Sequence, residues 1–215
     1  SVLGVAETLD NLWRLHLLEL ELDSAEACVL DAIERFASIG DAGRVLLGYS
    51  RRAWVDAYRP DPDRARRGVE RFVRRFGRAE PLRASALRAV LAYRHGDLRE
   101  AGRHARSWTA TSLAVGQETT VSPVKAFLIL ARAEAAEGRH AEAGARLDEA
   151  LAAARASFWV RDRVEAALHV GAWLAEIGRR APALALAARV DRHPAADPLM
   201  RADAAGLEIA SALRP

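Results

Sequence analysis

The feature that most restricts the fold is a spacing that recurs three times: a glycine closes one amphipathic segment, and an alanine five residues later opens the next. It occurs in "LAYRHGDLREAGRHA" (Gly96, Ala101), "RAEAAEGRHAEAGARLDEAL" (Gly138, Ala143) and "LAEIGRRAPALALAARV" (Gly178, Ala183). Glycine ends a helix because it takes the left-handed conformation at no steric cost, and the small alanine lets the second helix approach the first closely. The unit is an antiparallel helical hairpin. In "YRPDPDRARRG" Pro60 stands in the glycine place with Ala65 five residues on, and a first, weaker copy is centred on "ELDSAEA", with Ala27. From Pro60 the turns fall at 96, 138 and 178, about 36 to 42 residues apart, so each pair is expected to stack on its neighbours.

Composition agrees with helices. The 215 residues include 47 alanines but only 25 Val, Ile and Thr together, which predicts an all-α chain without strands. Asp61-Pro62, Ser122-Pro123 and Asp197-Pro198 each place a cap before a proline at the first helical position. Asp23 to Glu26 and Asp97 to Glu100 have capping-box spacing. With further turns at Gly40, Gly77 to Pro81 and Ser157, these signals predict eleven helices in a single domain. The hairpins span roughly 5–39, 41–77, 80–113, 122–156 and 158–192, and a helix at 198–213 caps the stack through Leu199, Ala202, Leu207 and Ile209.

In its rhythm the chain resembles the tetratricopeptide-repeat family, whose hairpins carry a large residue, Leu-Gly and Tyr in the first helix, and Ala, Phe and Ala in the second. The fourth hairpin matches through Phe127, Leu130, Ala131, Ala143, Leu147 and Ala150, and the fifth through Val170-Gly171, Leu174, Ala183, Ala187 and Val190. The third keeps Ala89, Ala101 and Ala105 but has Arg88 where an apolar residue is usual. The resemblance implies a right-handed superhelical stack of about five hairpins. The closing phrase "LAARVDRHPAADPLMRADAAGL", with His193-Pro194, Arg201 and Ala204, is similar to the end of helical-repeat arrays in bacterial signalling ATPases and transcription activators. That likeness implies one module of a larger protein, serving as its sensor or partner arm.

No enzyme signature is present: there is no glycine-rich phosphate loop, no G-x-S-x-G elbow and no H-E-x-x-H. None of His16, His95, His104, His140, His169 and His193 has a second histidine three or four residues away, so neither a metal nor a cofactor is expected. The acid pairs Asp148 with Glu149 and Asp162 with Glu165 are expected on solvated helix faces. The single cysteine, Cys28, is expected as a buried small hydrophobe. Without eighteen consecutive apolar residues or a secretory opening, the expected location is the cytoplasm, with no membrane partner.

Charge is uneven along the chain. Residues 1 to 50 carry nine acids against three arginines, 51 to 106 carry sixteen arginines against seven acids, and 107 to 215 balance at thirteen each. The densest run, "RARRGVERFVRRFGR", resolves into an apolar face of Ala65, Val69, Phe72, Val73 and Phe76, with Arg67, Arg71, Arg74 and Arg78 as a ridge on the solvated back and Glu70 placed to offset Arg74. A helical-repeat groove is lined by the first helices of successive hairpins. Aligned on the turns, its positions are Trp54, Tyr58, Arg83, Tyr93, Arg94, Lys125, Arg132, Glu165 and Glu176: basic, partly aromatic, with an acidic end. Such a surface suits an acidic or extended peptide, or another domain of the same chain. The lone asparagine, Asn11, excludes the asparagine clamp common among the family's peptide binders. Ser107 to Pro123 reads as a hydroxyl-rich connection, and Trp159 and Trp173 as core. The leading expectation is a noncatalytic protein- or peptide-binding module; the alternative is a nucleic-acid-binding repeat protein using the basic region 51–106.

Overall fold

The computed structural model describes residues 1–115, 123–157 and 159–213, together with the backbone but not the side chains of a few positions inside helices, among them 113–115, 199 and 208–213. The described residues form eleven α-helices and no strand. They fall into two compact units, Ser1–Asp97 and Leu98–Pro215. In the first, α1 (Val2–Leu18), α2 (Leu22–Ser38), α3 (Ala42–Ala57), α4 (Pro62–Phe76) and α5 (Pro81–Arg94) pack in sequence, and α3 also touches α5. In the second, α6 (Leu98–Val115), α7 (Pro123–Ala136), α8 (His140–Ala156), α9 (Val160–Glu176), α10 (Arg180–Asp191) and α11 (Pro198–Leu213) do the same, with α7 also on α9 and α9 on α11. The unit boundary lies in the turn between the two helices of the expected third hairpin.

The turns carry the backbone geometry expected of them. Gly96, Gly138 and Gly178 have φ of 80°, 77° and 80°, a conformation open to glycine and strained for residues bearing a Cβ. The first hairpin departs from this: Leu20 takes the left-handed place with φ of 60°, so the alanine five residues later is Ala25 rather than Ala27. Ala25 is fully buried and Ala27 is exposed. The alanines five residues after the other turns, Ala65, Ala101, Ala143 and Ala183, are fully buried as well. A side chain larger than a methyl would have no room at these positions without moving a helix.

Capping agrees in part. Asp61 accepts from the amides of Asp63 and Arg64 ahead of Pro62, and Asp197 accepts from the amide of Met200 ahead of Pro198. Ser122 lies outside the described residues, although α7 begins at Pro123. Asp23 is no cap: α2 starts one residue earlier, at Leu22, and leaves Asp23 in its first turn. Asp41, which did not stand out in the sequence, caps α3 by accepting from the amide of Arg44.

Three further expectations are corrected. Ser107 to Val115 continue α6 instead of forming a connection, and 116–122 lie outside the described residues. In α11 the inward residues are Met200 and Ala204, with Leu207 packed beside them, whereas Ala202 faces solvent; the side chains of Leu199 and Ile209 are among those not described. Trp159 precedes α9 and is 54% exposed; Trp173, in contrast, packs half-buried against the α7–α8 core. Cys28 is half-buried beside Trp13, Val29 and Ile33, and desolvation followed by the charge of Asp31 raises its thiol pKa. Among the described residues no helix is long and apolar enough to cross a membrane.

Candidate partner-binding surface

Five of the nine groove candidates belong to the first unit and four to the second. In the first unit, Trp54 and Tyr58 are one helical turn apart at the end of α3. Trp54 is half-buried and packs against both the α1–α2 core and the cluster of Val69, Phe72 and Leu87, so much of its indole is structural. Tyr58 is half-buried, and the guanidinium of Arg94 from α5 lies over its ring, 4.7 Å from the centroid. The structure thereby joins Tyr58 and Arg94 into one cationic aromatic patch. Tyr93, next to Arg94, is half-buried. Arg83 turns back to Glu80 at the start of its own helix, 2.8 Å away. It also faces Arg51, which burial and then the charge of Arg83 hold at about 10.

In the second unit the expected separation of basic groove and acidic end does not occur. The charges face each other across α7 and α9: Lys125 Nζ is 3.0 Å from Glu165 Oε1, and Arg132 pairs with Glu176. Glu165 is buried, and Arg161 approaches its other oxygen at 3.6 Å before bonding Asp197 at 2.6 Å. Burial disfavours the Glu165 carboxylate, but Lys125 and then Arg161 outweigh it and hold the group down at about 2. Asp162 is also buried and accepts from the Ser157 hydroxyl at 2.6 Å. This acid pair therefore does not occupy a solvated face, whereas Asp148 and Glu149 are exposed as expected. A sequence read one helix at a time cannot supply these partners, which sit 40 and 44 residues apart.

His169, one turn beyond Glu165, has its pKa lowered to about 4 by desolvation, with Arg132 and Lys125 adding to the effect and Glu165 opposing it. A histidine depressed in the folded state contributes stability that is complete above its unfolded pKa of about 6.5 and is lost as pH falls toward 4. His169→Gln is therefore expected to flatten the pH dependence of the second unit's stability between pH 6.5 and 4, a span worth on the order of 1–2 kcal/mol after allowance for partial solvent screening. Urea unfolding at pH 4.5 and 7, followed by helical circular dichroism, measures it; an unchanged slope in the variant would assign the acid lability elsewhere.

The basic run is placed as the sequence predicts. Ala65, Val69 and Phe72 are buried, Val73 and Phe76 half-buried, and Arg67, Arg71, Arg74 and Arg78 exposed. Glu70 also reaches beyond its own helix: its carboxylate takes two bonds from Arg88 of α5, at 2.8 and 2.7 Å. That fork accounts for an arginine where the repeat usually has an apolar residue. Among the described residues no group of histidine, cysteine and carboxylate side chains could hold a metal ion.

No protein-family model matches the sequence, and no curated protein matches it. Solved structures do. One, described as Podosopora anserina kinesin light chain nearly identical TPR-like repeats, is 16% identical with a TM-score of 0.54, over 86% of this chain and 92% of that one. A point variant of those repeats aligns at 16% identity and a TM-score of 0.55, over 94% and 96% of the two chains. The chain is similar to these repeats in fold: it is an all-helical TPR-like repeat structure.

Proposed function

We propose that the chain is a noncatalytic protein- or peptide-binding helical-repeat module that serves as the sensor or interaction arm of a bacterial signal-transduction or transcription-regulatory protein in the cytoplasm. The observation that carries the binding role is the patch formed by Tyr58 and Arg94, with Trp54 one turn away: an aromatic surface bearing a cation on the first helices of adjacent hairpins. It offers an extended acidic segment both an apolar contact and a guanidinium for its carboxylates. The TPR-like fold supports the reading, since such repeats work through side chains displayed on their helices. In the second unit Lys125, Arg132, Glu165 and Glu176 form a candidate surface of their own as paired charges, which orient a partner more than they attract it.

The test compares capture of partners from bacterial lysate by the native chain, by Arg94→Glu and by Arg94→Lys. Loss of at least about tenfold in captured partner with glutamate, and partial retention with lysine, is expected for a charge-assisted contact. Identical partner sets would remove this surface from the reading. A duplex or RNA retained at physiological salt, with an affinity falling steeply as salt rises, would favour the alternative of nucleic-acid binding through residues 51–106.

A further inference from the structure

Away from the Tyr58 and Arg94 patch, the first unit has a cleft of about 320 Å³ between the end of α2, the start of α3 and the end of α4. Val45, Leu46, Tyr49 and Phe76 form its apolar walls, and Ala37 and Ala42 stand exposed at its rim. Tyr49 and Phe76 lie with ring centroids 5.5 Å apart, and the Arg75 guanidinium sits 5.0 Å from both. No carboxylate lines the cleft. The acid next to it in sequence, Asp41, is occupied by the amide and guanidinium of Arg44. Arg75 makes no ion pair among the described residues, whereas Arg44, Arg51, Arg52, Arg59, Arg83 and Arg88 of the same unit all do.

We propose that this cleft takes an apolar side chain from an acidic peptide segment, with Arg75 pairing the carboxylate next to it. The apolar walls would receive the side chain, and the stacked guanidinium is already fixed in orientation by two rings, so little of its freedom is lost when a carboxylate docks on it. Arg71 and Arg78, one turn to either side of Arg75, are exposed and carry the positive field to the rim, which selects an acidic segment over a neutral or basic one. A polyanion without an apolar anchor would use the arginine ridge and leave the cleft empty. The proposal rests on the reading of the chain as a peptide-binding module but not on the Tyr58 and Arg94 patch, so the two surfaces fail separately.

The test uses the whole chain and a fluorescein-labelled octapeptide of aspartate and glutamate with one central leucine, against the same peptide with serine in that place. Fluorescence anisotropy is expected to show the leucine peptide binding at least about tenfold tighter. Ala42→Trp fills the cleft from an exposed position, and Arg75→Gln removes the charge while keeping a side chain over the rings; each is expected to weaken the leucine peptide about tenfold. Arg155→Gln, at an exposed arginine of α8 with no part in either surface, should leave it within about twofold, which separates loss of the Arg75 contact from loss of net charge. Equal binding of the two peptides, or no effect of Ala42→Trp in a variant with native circular dichroism, would overturn the proposal. So would an oligonucleotide of equal charge that binds as tightly as the leucine peptide.

Discussion

Arg59→Ala is expected to lower the stability of the first unit by about 3 kcal/mol, the largest loss from any single charged side chain in it. Arg59 follows the end of α3, yet it is only 6% exposed, because its side chain turns back over the start of α2. There it donates to Asp23 at 3.0 Å and Glu26 at 2.5 Å, while its Nε lies 3.6 Å from Asp56. Asp56 is buried, and desolvation and the charge of Glu26 raise its carboxyl pKa even with Arg52, Arg59 and Arg71 acting in the opposite sense. Alanine would leave two carboxylates facing each other with one cation fewer.

The pH dependence identifies the cause. Without Arg59 the folded state holds the Asp56 proton more tightly than the unfolded state does. The variant therefore gains on the native chain as pH falls, and its deficit should shrink between pH 7 and 4. Arg59→Lys restores the charge without the fork and should fall between the two. Urea unfolding followed through Trp13 and Trp54, which lie in the affected cores, measures all three; an equal deficit at both pH values would make the loss one of packing instead.

The same cluster shows what a sequence can and cannot display. The hairpin rhythm was legible because it depends on local rules: a glycine at positive φ, an alanine five residues on, an apolar stripe at three and four. Where the rule was local and true, as at Ala101, Ala143 and Ala183, burial is complete. Leu20 concealed the first turn, since nothing in a leucine announces left-handed backbone, and the register slipped from Ala25 to Ala27. Trp159 was misplaced for a related reason: its apolar character fits a core, but it stands before α9 begins.

Charge partnerships were less legible because they cross between helices. Glu70 sits on α4 but takes its bonds from Arg88 of α5; Glu165, expected both on a solvated helix face and in the groove, is the buried partner of Lys125. Composition concealed them too, since arginine is so frequent in the second quarter that no single one stands out. Only burial distinguishes Arg59, held by three carboxylates, from the exposed Arg67.

Gly68→Ala is expected to cost about 2 kcal/mol, although alanine normally stabilises a helix interior by about 1 kcal/mol relative to glycine. Gly68 is a buried residue of α4, and a Cβ built on it would stand 2.2 Å from Asp56 Cγ and 2.4 Å from Asp56 Cβ. The second distance decides the outcome. A carboxylate could rotate away, but the Cβ of Asp56 moves only with the backbone of α3, so α3 and α4 must separate. Asp56→Ala consequently should not rescue Gly68→Ala, because alanine keeps that same Cβ. Gly206→Ala is the control: it lies in α11 with no neighbouring atom within 4 Å of the new methyl, and is expected to be neutral or stabilising by up to about 1 kcal/mol. Thermal unfolding of the four variants measures this; a Gly68→Ala cost that vanishes once Asp56 is alanine would show that the carboxylate, and not the closeness of the two helices, sets the demand for glycine.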